Sequence, residues 1–303
     1  MRVLVTGGAG FIGSHVVDAL VIRGDEVAVV DNLATGKREN IRDNATLHVR
    51  DIREPLEDLF DELRPDAVFH LAAQADVRVS TERPHEDAEV NVLGTIRVLE
   101  AARRHGAQVI FSSTGGAIYG ECDGPAKETA ALRPVSPYGT SKLAGEEYLR
   151  TYNRLYETIH VSLRYGNVYG PRQDPHGEAG VVAIFLGALA AGEQARIFGD
   201  GTQTRDYVYV GDVARATVSA LGQEGGVFNV GTGREVSVLE LYDLCRRAAG
   251  ASADAEHAPA RLGELQRSVL DPGLAAEQLG FTAMVELEDG LAATWEWISG
   301  QKE

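Results

Sequence analysis

The chain has 303 residues, 44% of them hydrophobic and 24% charged, enough for a large core and two lobes sharing one interface. Its formal net charge of -16 argues against nucleic acid and anionic membranes as partners. Cys122 and Cys245 are far apart and in no metal-like spacing, so neither a disulfide framework nor a metal site is expected. Met1 runs straight into an apolar strand and no apolar run could span a bilayer. A reduced, cytoplasmic setting without a signal peptide is the expectation.

Taken in chain order, the first apolar run is Val3–Thr6. It meets Gly7, Gly10 and Gly13, and an amphipathic stretch, Ser14–Arg23, follows at once within a helix expected over Ile12–Arg23. This spacing reads as strand, tight turn and helix. Gly7 permits the turn, Gly10 lets a pyrophosphate approach the backbone, and Gly13 lets helix and strand pack closely. The helix start, with Phe11 and Ile12, offers N–H groups and a positive dipole end to phosphates. A second run, Glu26–Val30, ends in Asp31-Asn32, about 20 residues on, where an acid holds the adenosine ribose hydroxyls of a dinucleotide. Asp31 would repel a 2'-phosphate, which favours NAD over NADP, with the basic pair Lys37 and Arg38 as the counter-indication.

Further strands are expected at Thr46–Val49, Ala67–Leu71, Gln108–Ser112 and His160–Arg164, and helices at Pro55–Leu63, Pro84–His105 and Ser136–Leu155. This alternation predicts an α/β fold, a Rossmann doubly wound parallel sheet. Asp51-Ile52 closes the third strand. Asp51 either bonds an adenine amine or caps the next helix. The run His70-Leu71-Ala72-Ala73-Gln74 places small residues at a strand's C-terminal edge, which leaves room for a flat ligand or for close helix packing. After Tyr165 the pattern loosens. Gly166–Asp174 reads as loop, Gly180–Ala191 as helix, and Thr204–Val210 and Gly226–Val230 as β. Asp212–Leu221 and Ser237–Ala249 read as helices, and the C-terminal part as helical and polar. The expected division is a cofactor lobe of residues 1–165 plus about 205–231, and a smaller α/β substrate lobe of about 166–204 plus 232–303.

Tyr138 and Lys142 are four apart on a helical pattern, so phenol and ammonium share a face. A phenol of ordinary pKa about 10 is pushed toward phenolate by a nearby ammonium and by an oxidised nicotinamide. It can then take a proton near neutral pH. Ser112-Ser113-Thr114-Gly115-Gly116 ends the neighbouring strand. Either Thr114 or Ser113 could donate to the reacting oxygen, with Thr114 preferred.

Together these residues resemble the extended short-chain dehydrogenase/reductase family, and within it the UDP-glucose 4-epimerases and other nucleotide-sugar 4-epimerases. The likeness runs through Asn91 with Gly94-Thr95, Tyr138/Lys142, Arg164-Tyr165-Gly166-Asn167, Arg205-Asp206-Tyr207 and Pro259–Glu264, nearly the whole chain. It implies that Tyr138 takes the proton of a sugar 4-hydroxyl while the C4 hydride passes to NAD. A 4-keto sugar then swings about its diphosphate and is reduced on its other face. It implies that Leu71–Gln74, Asn91, Ser112, Tyr138, Lys142 and Tyr165 lie along the cofactor, Tyr165 at the nicotinamide end unless it is plain core. It also implies that Asn167, Arg205 and Arg261 hold the diphosphate, that Glu264 holds the nucleoside ribose, and that Thr114 and Tyr138 face the sugar. The substrate is then a UDP- or dTDP-linked sugar, and the paired helices imply a homodimer.

Departures from related patterns narrow the reaction. Gly115-Gly116 stands where the 4,6-dehydratases carry an Asp-Glu pair and the decarboxylases a Glu, which favours plain epimerisation. Asp174 stands where uronate epimerases carry Arg, and would repel a sugar carboxylate. Ser268 replaces a bulky aromatic of glucose-selective members, which implies room for a 2-acetamido group. The competing readings are a uronate epimerase, a dehydratase or reductase, and a non-catalytic NAD-binding regulator.

Overall fold

In the computed structural model, residues 1–175, 180–260 and 265–300 are described. The elements of the first part are β1 (Arg2–Thr6), α1 (Phe11–Arg23), β2 (Glu26–Asp31), β3 (Ala45–Val49), α2 (Glu57–Leu63), β4 (Ala67–His70), α3 (Val77–Glu82), α4 (Pro84–Ala88), α5 (Thr95–His105), β5 (Gln108–Thr114), α6 (Gly115–Ile118), α7 (Pro137–Tyr156) and β6 (Val161–Tyr165). Then come β7 (Asn167–Tyr169), α8 (Val181–Ala191), β8 (Arg196–Phe198), β9 (Thr204–Arg205), β10 (Tyr207–Tyr209), α9 (Val210–Ser219), β11 (Gly226–Val230), β12 (Val236–Ser237), α10 (Val238–Ala249), β13 (Glu256–Ala258), β14 (Arg267–Ser268), α11 (Gly273–Leu279) and α12 (Leu287–Gly300).

Seven strands form one parallel sheet in the order β11-β6-β5-β4-β1-β2-β3. The chain winds outward from β1 in both directions, so the order reverses between β1 and β4. Ligand crevices open at such a reversal, at the C-terminal strand ends. Buried valines and phenylalanines on both sheet faces explain why these strands read as continuous apolar runs. One core packs α1, α9 and α11 against the sheet, and a second packs α2, α5 and α7. A third core lies among α8, α10 and α12 and the small strands, outside the large sheet.

Several expectations are corrected. The helix expected over Pro84–His105 is α4, a π-helical turn over Glu89–Gly94, and α5. The Asn91 amide donates to Gln74 O, Asp87 Oδ1 and Ser141 Oγ, and this inward pull accompanies the widened turn. The loop expected over Gly166–Asp174 contains β7, paired in parallel with β10. The β segment Thr204–Val210 is split at Asp206, whose buried carboxylate accepts from Thr232 N and Oγ1, Gly233 N and Leu270 N. The last helix, expected to be polar, buries Leu291 and Ile298 in the third core.

Candidate active site

A cleft of about 760 Å³ runs across the C-terminal ends of the strands. At one end lie Gly7, Gly10, Phe11, Ile12, Gly13, Asp31, Asn32, Asp51 and Ile52. In the middle are Leu71, Ala72, Ala73, Ser112, Thr114, Tyr138, Lys142 and Tyr165. Asn167, Gln173, Asp174 and Tyr207 line the other end.

The glycine end is built by backbone. Gly7 has φ +70°, and a Cβ there would stand 2.6 Å from Ala72 N. A Cβ on Gly13 would stand 2.0 Å from Gly7 O, whereas one on Gly10 would meet only Gly7 O at 3.3 Å. Gly7 and Gly13 are thus fixed by packing, and Gly10 keeps the cleft floor open. The N-cap of α1 is Gly10, with no side-chain cap, so the helix presents its N–H groups to the cleft. The Asp31 carboxylate is oriented by the N–H groups of Ala9 at 2.9 Å and Leu33 at 2.8 Å. Asp51 accepts from Arg53 and Asn32, and its carboxyl is held far below the ordinary range chiefly by the Arg53 guanidinium. Of the two roles open to Asp51, capping is excluded, because α2 begins at Glu57 with Leu56 at its N-cap.

In the middle, α7 starts where Ser136 accepts the Gly139 N–H and Pro137 occupies the first turn. Tyr138 and Lys142 project from this end toward the cleft. Lys142 Nζ donates to Ser112 O at 2.8 Å and lies 4.9 Å from the Phe111 ring centroid. Close by, His70 is buried between Thr6 Oγ1 (2.7 Å) and Thr95 Oγ1 (3.0 Å). Burial, aided by the Lys142 charge, pushes it down to about 3, so it is neutral.

The structure separates the two candidate hydroxyls. Ser113 touches the cleft edge but is 2% exposed, and its Oγ donates to Glu146 Oε1 at 2.5 Å. Thr114, one residue on, is partly exposed at the end of β5. The Ser113 donor is thus committed inward, and Thr114 is the hydroxyl left at the cleft end of β5.

Not every expected residue reaches the wall. Gln74 and Asn91 are bonded to each other and to Asp87, holding the segment after β4 to α7 through Ser141. Tyr165 reaches the wall, but its hydroxyl is buried against Thr217 Oγ1 at 2.8 Å, and burial pushes it up; the side chain is core. Arg205 and Ser268 lie side by side as register partners in the small sheet β12-β9-β14, off the cleft lining. Arg261 and Glu264 lie outside the described residues. Sequence reasoning missed Glu146, His70 as a buried neutral bridge, and Gln173. Only the spacing Tyr138, Lys142, Glu146 signalled the first.

The NAD dependent epimerase/dehydratase family model matches residues 3–231. The UDP-glucose 4-epimerase of Mycolicibacterium smegmatis is 47% identical, over 100% of both chains. The crystal structure of the Thermotoga maritima UDP-glucose 4-epimerase with UDP-glucose superposes with TM-score 0.98 at 48% identity, over 100% of both chains. That of the Thermus thermophilus enzyme with NAD superposes with TM-score 0.95 at 50% identity, over 99% of both. By fold, cleft and sequence alike, this chain belongs to the NAD-dependent epimerase/dehydratase family.

Proposed function

We propose that this chain inverts C4 of a nucleotide-diphosphate hexose, interconverting UDP-glucose and UDP-galactose. The observation that carries the reading is one cleft joining the Gly7–Gly13 turn and Asp31 to Tyr138, Lys142 and Thr114.

The glycine end fits a dinucleotide. The uncapped start of α1 and the open floor at Gly10 suit the pyrophosphate, and Asp31 and Asn32 suit the adenosine ribose. Asp51 and Ile52 flank the place for adenine, and Leu71–Ala73 with Ser112 form the wall toward Tyr138. When bound, NAD supplies reversible hydride acceptance at C4. The Tyr138 phenolate removes the 4-hydroxyl proton and later returns it, favoured in its anionic form by the Lys142 ammonium. Thr114 donates to the same oxygen. Asn167 on the cleft wall, with Arg205 off the lining and Arg261, holds the diphosphate while the sugar turns over, and Glu264 holds the nucleoside ribose. Arginine suits this task because its planar fork bonds two phosphate oxygens. Gly115 and Gly116 bring no carboxylate beside Thr114, so nothing there serves elimination. Asp174 on the wall disfavours a uronate.

Tyr138→Phe tests the reading: kcat should fall about 10²–10⁴-fold with KM little changed. Undiminished turnover would refute it. Ser268 is small where glucose-selective members carry a bulky aromatic, which supports acceptance of UDP-N-acetylglucosamine as well, although it lies off the cleft lining. Ser268→Tyr should then abolish turnover of the acetamido sugar while UDP-glucose turnover persists. No acetamido turnover by the parent enzyme ends that reading.

A homodimer is part of the proposal. A surface groove lined by Pro84, Ala88, Val92, Val135, Pro137 and Ala144 joins α4, the π-helical turn and the start of α7. Leu93, Val135 and Tyr148 are exposed nearby. Sedimentation at a monomer's mass would exclude this. Unpaired Cys122 and Cys245 suit the reducing cytoplasm. Among the described residues, no helix is long and apolar enough to cross a membrane.

A further inference from the structure

Behind the cleft, Arg164 and Glu146 form an ion pair with both side chains fully buried. Arg164 Nε donates to Glu146 Oε1 at 2.9 Å and Nη2 to Oε2 at 2.6 Å. Arg164 Nη1 donates to Tyr119 Oη at 2.8 Å and to Glu128 O at 3.3 Å, and the guanidinium lies 5.0 Å from the Tyr119 ring centroid. Tyr119 in turn donates to Asn229 Oδ1 on β11. Arg150 Nη2 lies 4.0 Å from Glu146 Oε2.

A pair so deeply buried is a weak stabiliser. Desolvating both ions costs several kcal/mol each, and an apolar pair of equal volume often serves stability as well. Its position is what distinguishes it. Glu146 follows Lys142 by one helical turn and Tyr138 by two, on the same face of α7. Arg164 on β6 is the register partner of Ser113, and Tyr165 that of Thr114. Three contacts key α7 onto β5 in succession. Lys142 Nζ bonds Ser112 O, Gly145 sits where any Cβ would strike the Phe111 ring at 2.7 Å, and Glu146 accepts from Ser113 Oγ. Sliding α7 along β5 would therefore break the buried network before it moved Tyr138 past Thr114.

We infer that Glu146, Arg164 and Ser113 are positioning residues, a buried clamp that sets the register of α7 on β5 and so the placement of Tyr138 and Lys142 against Thr114. The inference rests on the epimerase reading and deepens it. The same clamp leaves Thr114 as the hydroxyl at the cleft, because Ser113 is its strand-side anchor.

The test compares Glu146→Gln/Arg164→Met, which neutralises both partners together, with Ser113→Ala, which removes one hydroxyl and strands no charge. Each is purified and assayed for bound NAD, thermal melting, and kcat and KM with UDP-galactose, beside the parent and Tyr138→Phe. In the folded, NAD-loaded double variant kcat should fall about tenfold or more, with KM changed less than about twofold. Ser113→Ala should show the same split, about three- to fivefold. Parental kcat in the folded double variant overturns the clamp. So does a Ser113→Ala effect confined to KM, since that marks a substrate contact. If the double variant fails to fold, Ser113→Ala decides alone. An inactive parent, or an active Tyr138→Phe, would count against the epimerase reading and not against the clamp.

Discussion

The two ends of the cleft are built in different ways. The glycine end is made of backbone: Gly7 at φ +70°, Gly13 against Gly7 O, and the uncapped start of α1. The substrate end is held by side chains reaching between distant segments. Asp206 carries the loop at Thr232–Gly233 and the backbone of Leu270. Glu121 accepts the N–H groups of Gln266 and Arg267, and Glu235 pairs with Arg267. Backbone constraints leave a local trace in sequence, and long-range polar latches do not.

This difference predicts separable failures. Gly13→Ala puts a Cβ 2.0 Å from Gly7 O, a steric conflict at the cofactor end. We expect NAD to be lost on purification and stability to fall by about 1–3 kcal/mol or more, read by nucleotide extraction and thermal melting. Retention of full NAD would show that the turn tolerates the side chain and that its sequence signature misleads. Asp206→Asn replaces an acceptor of four hydrogen bonds by a group that is itself half donor. Burial pushes the Asp206 carboxyl up while its donors pull the other way. Here NAD should stay bound, stability should fall by about 1–3 kcal/mol, and KM for the nucleotide sugar should rise more than kcat falls. Equal loss of NAD in both variants would mean that the two ends are one cooperative unit.

The smallest effect concerns acid. His70 and His160 are buried and neutral, pushed down to about 3 and about 4 by desolvation. The unfolded chain takes up these protons near pH 6.5 and the folded chain does not. Their contribution is therefore fully present above about pH 6.5 and is lost as pH falls toward 4. His160 Nδ1 accepts the Val109 N–H, which an asparagine oxygen can imitate. His160→Asn should flatten the fall in stability between pH 6.5 and 4 by up to about 1.4 kcal/mol per pH unit, in denaturant titrations at stepped pH. An unchanged slope would mean that this histidine is protonated in the fold.

How far the sequence could be read follows the same divide. The parallel sheet and most of its helices were legible, because buried strands are apolar runs and glycines punctuate them. Tyr138 and Lys142 were legible because a helix face has a fixed period. The π-helical turn was not, since it goes with Asn91 reaching Gln74 and Ser141 across the fold. The choice between Ser113 and Thr114 was not either. It depends on Glu146 and Arg164, 33 residues from Ser113 for the former and brought in by β6 for the latter. Nor could spacing show that Arg205 and Ser268 are register partners beside the cleft.

The central claim is that the Tyr138 phenol, beside Lys142, governs proton traffic at C4 of a tethered sugar that leaves with its mass unchanged. The most direct measurement incubates the purified protein, without added cofactor, with UDP-galactose, and resolves products by NMR and mass spectrometry for the parent and Tyr138→Phe. We predict conversion to UDP-glucose of identical mass by the parent alone. A product lighter by one water, or equal conversion by Tyr138→Phe, would contradict it.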